Sequence, residues 1–146
     1  MAQYKDTLTL EAARKKYFHY TGLNEKGYQA RWVLVELGPF PFIFPNTKSR
    51  KMAVPFHDFH HILTGYDTDL VGEGEIGAWE LASGCSQYAA AFVLNTMAAT
   101  TGFFLSPKRI LRAFVRGRKS RNLYGRKLTS KLMATQVGKL RQELML

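Results

Sequence analysis

The chain has 146 residues, of which 46% are hydrophobic, and its net charge is +10. This length and composition fit one folded domain and exclude a disordered tail. A single cysteine, Cys85, excludes an internal disulfide framework and favours a reducing compartment. The first residues contain neither an apolar signal core nor an Arg/Ser-rich transit sequence, so a cytoplasmic bacterial protein is expected.

Glycines and prolines mark the ends of successive helical segments, and this pattern predicts an all-α, single-domain bundle of about six helices over residues 1–146. The candidate helices cover residues 8–21, 25–37, 55–64, 69–83, 85–101, 107–117 and 129–144. The second of these segments has enough β-branched residues to be a strand instead. Three prolines predict an extended loop over 39–54, and Pro55 is expected at the first position of the helix that follows.

The stretch from Leu81 to Pro107 carries no charge and is long enough to span a bilayer. Serines, threonines, Gln87 and Asn95 dilute its hydrophobicity, so a buried central helix is the expected structure. Its alanines permit close helix packing, or they leave room for a long apolar ligand.

Charge is distributed unevenly along the chain. Residues 1–80 carry nine basic and ten acidic side chains, a net charge of −1, whereas 81–146 carry twelve basic and one acidic, a net charge of +11. Such a basic block attracts anionic lipid or nucleic acid, or it is simply a solvated helix face. A nucleic-acid binder ranks last among these functions, because only Phe114 and Tyr124 interleave with the basic residues.

Three histidines and an aspartate cluster in "PFHDFHHILTGYDTDLVGEGE", residues 55–75. On a helix, His61 and Asp58 lie about 40° and 100° around from His57, whereas His60 lies about 60° to the other side. His57, Asp58 and His61 can therefore meet at one ion while His60 faces elsewhere. Two imidazoles and a carboxylate suit zinc, iron(II), manganese or cobalt. A polar helix surface rich in histidine is the alternative.

The segment after this helix offers carboxylates for a further ligand: Asp67, Asp69, Glu73, Glu75 and Glu80. Glu73 and Glu80 share a helix face, whereas Glu75 points away from Glu73. Gly74 and Gly77 each cost a helix up to about 1 kcal/mol relative to alanine, so close helix approach or space for a ligand is expected beside them.

The order His57, Asp58, His61, eleven residues, Glu73 resembles the HDxxH…E signature of the coenzyme Q biosynthesis protein 4 family. The surrounding "LTGY", the later Glu80 and the basic "RAFVRGRKSRNL" are similar to that family as well. The resemblance covers about Pro55 to Leu146, and residues 1–54 match only loosely. It implies an all-helical fold with an apolar tunnel for a prenyl tail and a divalent metal held by His57, Asp58, His61 and Glu73. It also implies a role in quinone biosynthesis at a membrane surface.

The first function hypothesis is an enzyme that removes the C1 carboxylate of a prenylated benzoate ring with oxidative hydroxylation. Zinc or iron would orient the head group, and Glu80 would hold a ligand or handle a proton. Four apolar residues are candidates for lining the tail channel: Phe92, Met97, Phe103 and Phe104. The second hypothesis is a non-catalytic prenyl-lipid-binding module or scaffold with a structural metal.

The expected partners are an isoprenoid quinone intermediate, an anionic membrane surface, other quinone-biosynthesis proteins and a second copy of the chain. Nucleic acid is not expected. Seven basic residues are candidates for contact with the cytoplasmic membrane of a bacterium: Lys108, Arg109, Arg112, Arg116, Arg118, Lys119 and Arg121.

Overall fold

The computed structural model describes residues 4–22, 28–37 and 40–146. It is mostly helical, which confirms the predicted all-α bundle, and it adds one two-stranded antiparallel hairpin. The elements in chain order are α1 (Leu10–Thr21), β1 (Trp32–Leu37), β2 (Phe40–Pro45), α2 (Lys48–Thr64), α3 (Leu70–Ser83), α4 (Ala89–Leu105), α5 (Pro107–Lys119), α6 (Ser130–Ala134) and α7 (Val137–Leu144).

Several helix ends lie where the sequence predicts them. The Thr9 side chain accepts a hydrogen bond from the Ala12 amide at the start of α1, and Gly22 ends that helix with φ 72°. The Asp69 side chain caps α3 by accepting from the Gly72 amide, and Gly65 ends α2 with φ 80°. Short polar side chains and glycine therefore fix the boundaries on both sides of the histidine cluster.

The prediction that a helix begins at Pro55 is wrong. Helix α2 begins seven residues earlier, at Lys48, where the Thr47 side chain accepts from the Arg50 amide. Pro55 lies inside the helix and cannot donate a backbone hydrogen bond to Lys51. It is buried in the packed face of α2, which offsets that loss.

Residues 32–37 and 40–45 form two paired β-strands rather than parts of a helix and a loop. Trp32–Leu37 pairs antiparallel with Phe40–Pro45, so the strand reading of "RWVLVEL" is correct and the extended loop over 39–54 is not. The first residues of the predicted helix over 25–37, up to residue 27, lie outside the described residues.

The predicted terminal helix over 129–144 is divided into α6 and α7. Between them, the Thr135 carbonyl accepts from the Leu10 amide at 2.9 Å, and the Val137 amide donates to the Leu8 carbonyl at 2.8 Å. This pairing with the start of α1 uses backbone groups that a continuous helix would need for itself. The break thereby ties the carboxyl-terminal part of the chain to α1.

Helix α3 packs against both α4 and α5, and glycines set these close contacts. A Cβ atom on Gly74 would lie 2.8 Å from the Gly102 Cα, and one on Gly77 would lie 2.8 Å from the Asn95 carbonyl oxygen. A Cβ atom on Gly117 would lie 2.5 Å from the Trp79 carbonyl oxygen. Close approach between helices, one of the two reasons expected from the sequence, therefore accounts for Gly74 and Gly77.

Helix α4 is not the buried central helix that the sequence predicts. Its buried residues are Ala91, Asn95 and Gly102, which form a narrow face against α3. The four residues predicted to line an apolar channel are exposed to solvent instead: Phe92, Met97, Phe103 and Phe104. The backbones approach closely through small residues, so the large side chains remain on the outer face of α4. Among the described residues, no helix has both the length and the hydrophobicity needed to cross a membrane.

Two arginines hold the carboxyl-terminal end of α2. The Arg141 guanidinium donates to the Leu63 carbonyl at 2.9 Å and to the Ile62 carbonyl at 3.1 Å. Arg116 donates to the Thr64 carbonyl at 2.9 Å. These bonds satisfy carbonyls that have no partner within the helix, and the positive charges interact favourably with the helix dipole. Helix α2 is thereby fixed against α5 and α7.

Candidate metal centre

Three side chains from α2 and α3 bring possible ligand atoms together: His57, His61 and Glu73. The two Nε2 atoms of His57 and His61 are 3.2 Å apart. Glu73 Oε2 lies 3.5 Å from His57 Nε2, and Glu73 Oε1 lies 3.4 Å from His61 Nε2. These three residues can hold a metal ion.

The hydrogen bonds made by the Nδ1 atoms of His57 and His61 determine that Nε2 is the nitrogen available to a metal. His61 Nδ1 lies 3.1 Å from the Tyr66 carbonyl oxygen, and His57 Nδ1 lies 3.1 Å from Glu80 Oε1. Both of these oxygens accept hydrogen bonds, so each Nδ1 carries the proton. A neutral ring at either position therefore presents an unprotonated Nε2 to the other histidine and to Glu73.

The spacing of these atoms fits a bound cation. A metal held tetrahedrally at zinc–nitrogen and zinc–oxygen bond lengths separates its ligand atoms by about 3.4 Å. The two Nε2 atoms are 3.2 Å apart, and each lies 3.4 or 3.5 Å from a different oxygen of Glu73, which is close to that value. Three lone-pair donors facing one another repel unless a proton or a cation lies between them. Two imidazole nitrogens and a carboxylate at this spacing therefore suit a divalent metal.

The charges around the group favour a cation as well. Burial acts to raise the pKa of Glu73, but His61 and His57 outweigh it and lower that pKa to about 2. Burial acts to lower the pKa of His57, yet Glu80 and Glu73 raise it well above its usual range. Without a metal, a protonated His57 therefore balances the nearby carboxylates. A divalent ion can take over that role.

Glu80 orients His57 from inside the protein. Its Oε1 accepts from His57 Nδ1, and its Oε2 accepts from Asn95 Nδ2 and from the Tyr124 hydroxyl, each at 2.6 Å. Burial acts to raise the pKa of this completely buried carboxyl, but His57 and His60 hold it well below its usual range. Carboxylates in this position commonly fix the tautomer and increase the basicity of a metal-bound histidine.

His60 does face away from the ligand group, as the helical geometry predicts. Its Nδ1 donates to Glu80 Oε1 at 2.6 Å, and its Nε2 accepts from the Leu123 amide at 2.9 Å. The ring is completely buried, and burial lowers the pKa of His60, so the neutral form is favoured. His60 therefore links α2 to α3 and to the loop that follows α5.

Asp58 lies outside the converging group, although the sequence geometry placed it among the ligands. Its carboxylate accepts hydrogen bonds from the Tyr28 hydroxyl and, at 3.5 Å, from the Tyr17 hydroxyl. Burial raises the pKa of Asp58, with the Tyr28 bond acting in the opposite direction. Asp58 points to α1 and to the segment before β1, because it lies about 60° beyond His61 on the helix.

The group is open to solvent on one side. The His61 side chain is buried, whereas those of His57 and Glu73 are 24% and 33% exposed. Among the described residues, no fourth His, Cys, Asp or Glu side chain joins the three. His61 also lines a narrow pocket, together with Tyr4, Tyr17, Tyr20 and Tyr66, that has space for about one water molecule.

Several of the other predicted residues lie away from the metal group. Glu75 points away from Glu73, as predicted, and forms a bidentate ion pair with Arg109. Arg116 packs over the Tyr66 ring. The remaining candidates for membrane contact are exposed: Lys108, Arg112, Arg118, Lys119 and Arg121.

Sequence reasoning missed the residues that support the ligands from other elements. Asn95 and Tyr124 are 15 and 44 positions from Glu80, and Tyr17 is 41 positions from Asp58. Asn95 alone gives a sequence signal, since it is an amide among small residues on the packed face of an uncharged helix. Nothing local to Tyr17 or Tyr124 indicates a contact with this site.

No protein-family model, curated protein or solved structure matches this chain.

Proposed function

We propose that the protein binds a divalent metal, zinc or iron, at His57, His61 and Glu73, and that it acts on a polyprenylated benzoate or phenol in quinone biosynthesis. The convergence of two imidazole nitrogens and a carboxylate within 3.5 Å carries the metal part of this proposal. The HDxxH…E resemblance supports the quinone part. The proposed location is the cytoplasmic face of a bacterial membrane, where such a lipid substrate is found.

The open side of the site favours catalysis over a structural metal. Structural zinc sites commonly have four protein ligands, whereas catalytic sites keep a position for water or substrate. His57 and Glu73 reach solvent beside that position, so the carboxylate and phenolic oxygens of a benzoate head group can approach there. A scaffold with a structural metal is the rival function, and a fourth protein ligand would favour it.

The proposed reaction replaces the ring carboxyl group with a hydroxyl group and releases carbon dioxide. It is a two-electron oxidation in which water supplies the oxygen of the new hydroxyl group and dioxygen accepts the two electrons, forming hydrogen peroxide. A bound metal would supply a Lewis acid for the head-group oxygens. The protein's own residues orient the site. Glu80 fixes the His57 ring, the Tyr66 carbonyl fixes the His61 ring, and Glu73 supplies negative charge.

A direct assay tests this function. Metal-loaded protein is incubated aerobically with a prenylated 4-hydroxybenzoate labelled at the carboxyl carbon, and released labelled carbon dioxide is counted. Wild type should release label and form the hydroxylated ring, whereas Glu73→Gln should lose at least 100-fold in rate. Glu75→Gln is the matched control. Full metal occupancy with no labelled carbon dioxide would reject the decarboxylase and leave the metal-bound scaffold.

A further inference from the structure

The outer face of α4 is an unusually apolar surface. Phe92, Val93, Met97, Phe103 and Phe104 are all exposed there, and Phe104 is 82% exposed. No charged residue lies between Leu81 and Pro107 to interrupt them. Contiguous exposed apolar surface of this kind marks an interaction site in a folded protein.

Helix α5, which follows α4 directly after Ser106, also exposes apolar residues and adds positive charge. Leu111 and Val115 are exposed and lie about 100° and 140° around the helix from the buried Ile110. Lys119 and Arg112 follow at about 180° and 200°. The apolar band of α5 therefore borders directly on a basic band, which is the pattern of a helix that lies in a membrane interface.

The basic residues beside the apolar band have no acidic partners in the described part of the chain. No ion pair involves Lys108, Arg112, Arg118 or Lys119, whereas Arg109 does pair with Glu75. From residue 81 onward the chain has one acidic residue, Glu143, and it pairs with Arg126. The surface thus combines exposed phenylalanines with uncompensated positive charge.

Exposed apolar side chains beside unpaired positive charge distinguish between the partners that could bind this surface. A second copy of the chain would bring two basic bands of the same sign together, which opposes association. A nucleic acid would match the charge but would leave Phe104 and its apolar neighbours exposed. An anionic bilayer accepts apolar side chains below its headgroups and basic side chains at them.

We propose that the outer faces of α4 and α5 form a docking surface for an anionic phospholipid membrane. The apolar side chains around the corner at Ser106 and Pro107 enter the headgroup and acyl boundary, and the basic band of α5 contacts lipid phosphates. The inner face of α4 holds Asn95, which bonds Glu80 beside His57. The docked face therefore lies on the opposite side of α4 from the residues that orient His57. The surface depends on exposure and charge, so it does not rest on the metal.

Vesicle flotation of the full chain tests the proposal. Wild type should float with vesicles of phosphatidylcholine and phosphatidylglycerol, and much less with phosphatidylcholine alone or at high salt. Phe104→Glu should weaken binding at least tenfold, because it removes a large apolar group and adds a repelled charge. The double variant Arg112→Gln and Lys119→Gln should weaken it about 25-fold, from about fivefold for each charge. Ile43→Glu, on the hairpin, is the matched control at an exposed apolar residue and should bind as wild type does.

Three results would overturn the proposal. The first is no flotation of the wild type with anionic vesicles. The second is equal loss of binding in Ile43→Glu and Phe104→Glu. The third is a dimer that Phe104→Glu converts to a monomer, together with no vesicle binding, which would assign the face to self-association. Metal content is measured separately, so a failure here is distinguishable from a failure of the metal site.

Discussion

His57 uses both of its ring nitrogens, and this divides the site into an outer and an inner part. Nε2 faces His61 and Glu73 on the side that reaches solvent, whereas Nδ1 faces the buried Glu80. The affinity of the proposed metal site should therefore depend on a carboxylate that does not contact the ion. The same carboxylate also carries hydrogen bonds from His60, Asn95 and Tyr124, so the orientation of His57 is set by the packed interior.

Replacing Glu80 tests this dependence. Glu80→Gln keeps the side-chain shape but removes the negative charge that fixes the His57 tautomer. Metal affinity should fall about 10- to 100-fold, as it does when partners of metal-bound histidines are replaced. A competition titration against a chromophoric chelator measures the affinity. Glu75→Gln, which changes a carboxylate on the same helix, should retain the wild-type affinity, and equal losses in the two variants would contradict this role.

The stability of the metal-free protein should fall both at low pH and at high pH. The pKa of Glu73 is lowered to about 2 in the folded state, so its contribution is present above about pH 4.5 and is lost as the pH falls towards 2. The pKa of His57 is raised, so its contribution is present below about pH 6.5 and is lost as the pH rises through the raised value. Stability should therefore be greatest between these limits.

Urea unfolding of chelator-treated protein across this pH range measures the effect. Glu73→Gln should show a smaller loss of stability between pH 4.5 and 2 than the wild type, because the group with the lowered pKa is gone. Identical acid limbs for the two proteins would show that Glu73 does not interact with the histidines in solution.

At the scale of elements, α3 can pack closely against α4 and α5 because glycines on the packed faces have no Cβ atom. Gly77 lies where a Cβ atom would be 2.8 Å from the Asn95 carbonyl oxygen, on the backbone of the facing helix. Backbone at that distance must move to admit a side chain. Since Asn95 also bonds Glu80, any such movement reaches the residue that orients His57.

Gly77→Ala should therefore destabilise the protein by about 1–3 kcal/mol, even though alanine is the better helix former. Gly125→Ala is the matched control, since a Cβ atom there meets nothing within 4 Å. Thermal or urea unfolding of the two variants gives the comparison. A Gly77→Ala protein as stable as wild type would contradict the close crossing of α3 and α4.

Short-range signals were sufficient to predict much of this fold. Thr9, Gly22, Gly65 and Asp69 act through neighbours within a few positions, so the helix ends they form follow directly from the sequence. The predicted helix start at Pro55 is wrong because tertiary packing holds this proline inside α2. No local sequence rule indicates such packing.

The candidate site follows the same division between local and distant contacts. The approach of His57 and His61 depends on helical spacing and was predictable, whereas spacing left several carboxylates open and only the family resemblance pointed to Glu73. The position of Asp58 depends on Tyr17 and Tyr28 from elsewhere in the chain, so it was not. Phe104 and its neighbours are exposed because the glycines of α3 pack against the opposite face of α4. This packing is again a contact between segments that are distant in the sequence.

At the scale of the whole molecule, the metal group joins two consecutive helices that have many other partners. Helix α2 is held by Arg116 of α5 and Arg141 of α7, and α3 is held by α4 and α5. An ion bound by both helices should therefore stabilise the whole fold rather than a local segment.

This coupling predicts that added metal raises the unfolding midpoint. At a free metal concentration about 100 times the dissociation constant, the folded state should gain about 2.7 kcal/mol, provided that the unfolded chain does not bind the metal. Differential scanning calorimetry with and without a chelator measures the shift. His57→Ala should show no such shift, and an equal shift in that variant would place the bound metal elsewhere.

The central claim is most directly tested by native mass spectrometry with elemental analysis of the purified protein. Wild type should carry one divalent ion per chain, and the double variant His57→Ala and His61→Ala should carry none. His60→Ala should be less stable, because it leaves the Leu123 amide and Glu80 without a partner, but its folded fraction should keep the ion. A wild type that binds no metal when supplied with zinc or iron(II), or a double variant that keeps its ion, would contradict the assignment of this site.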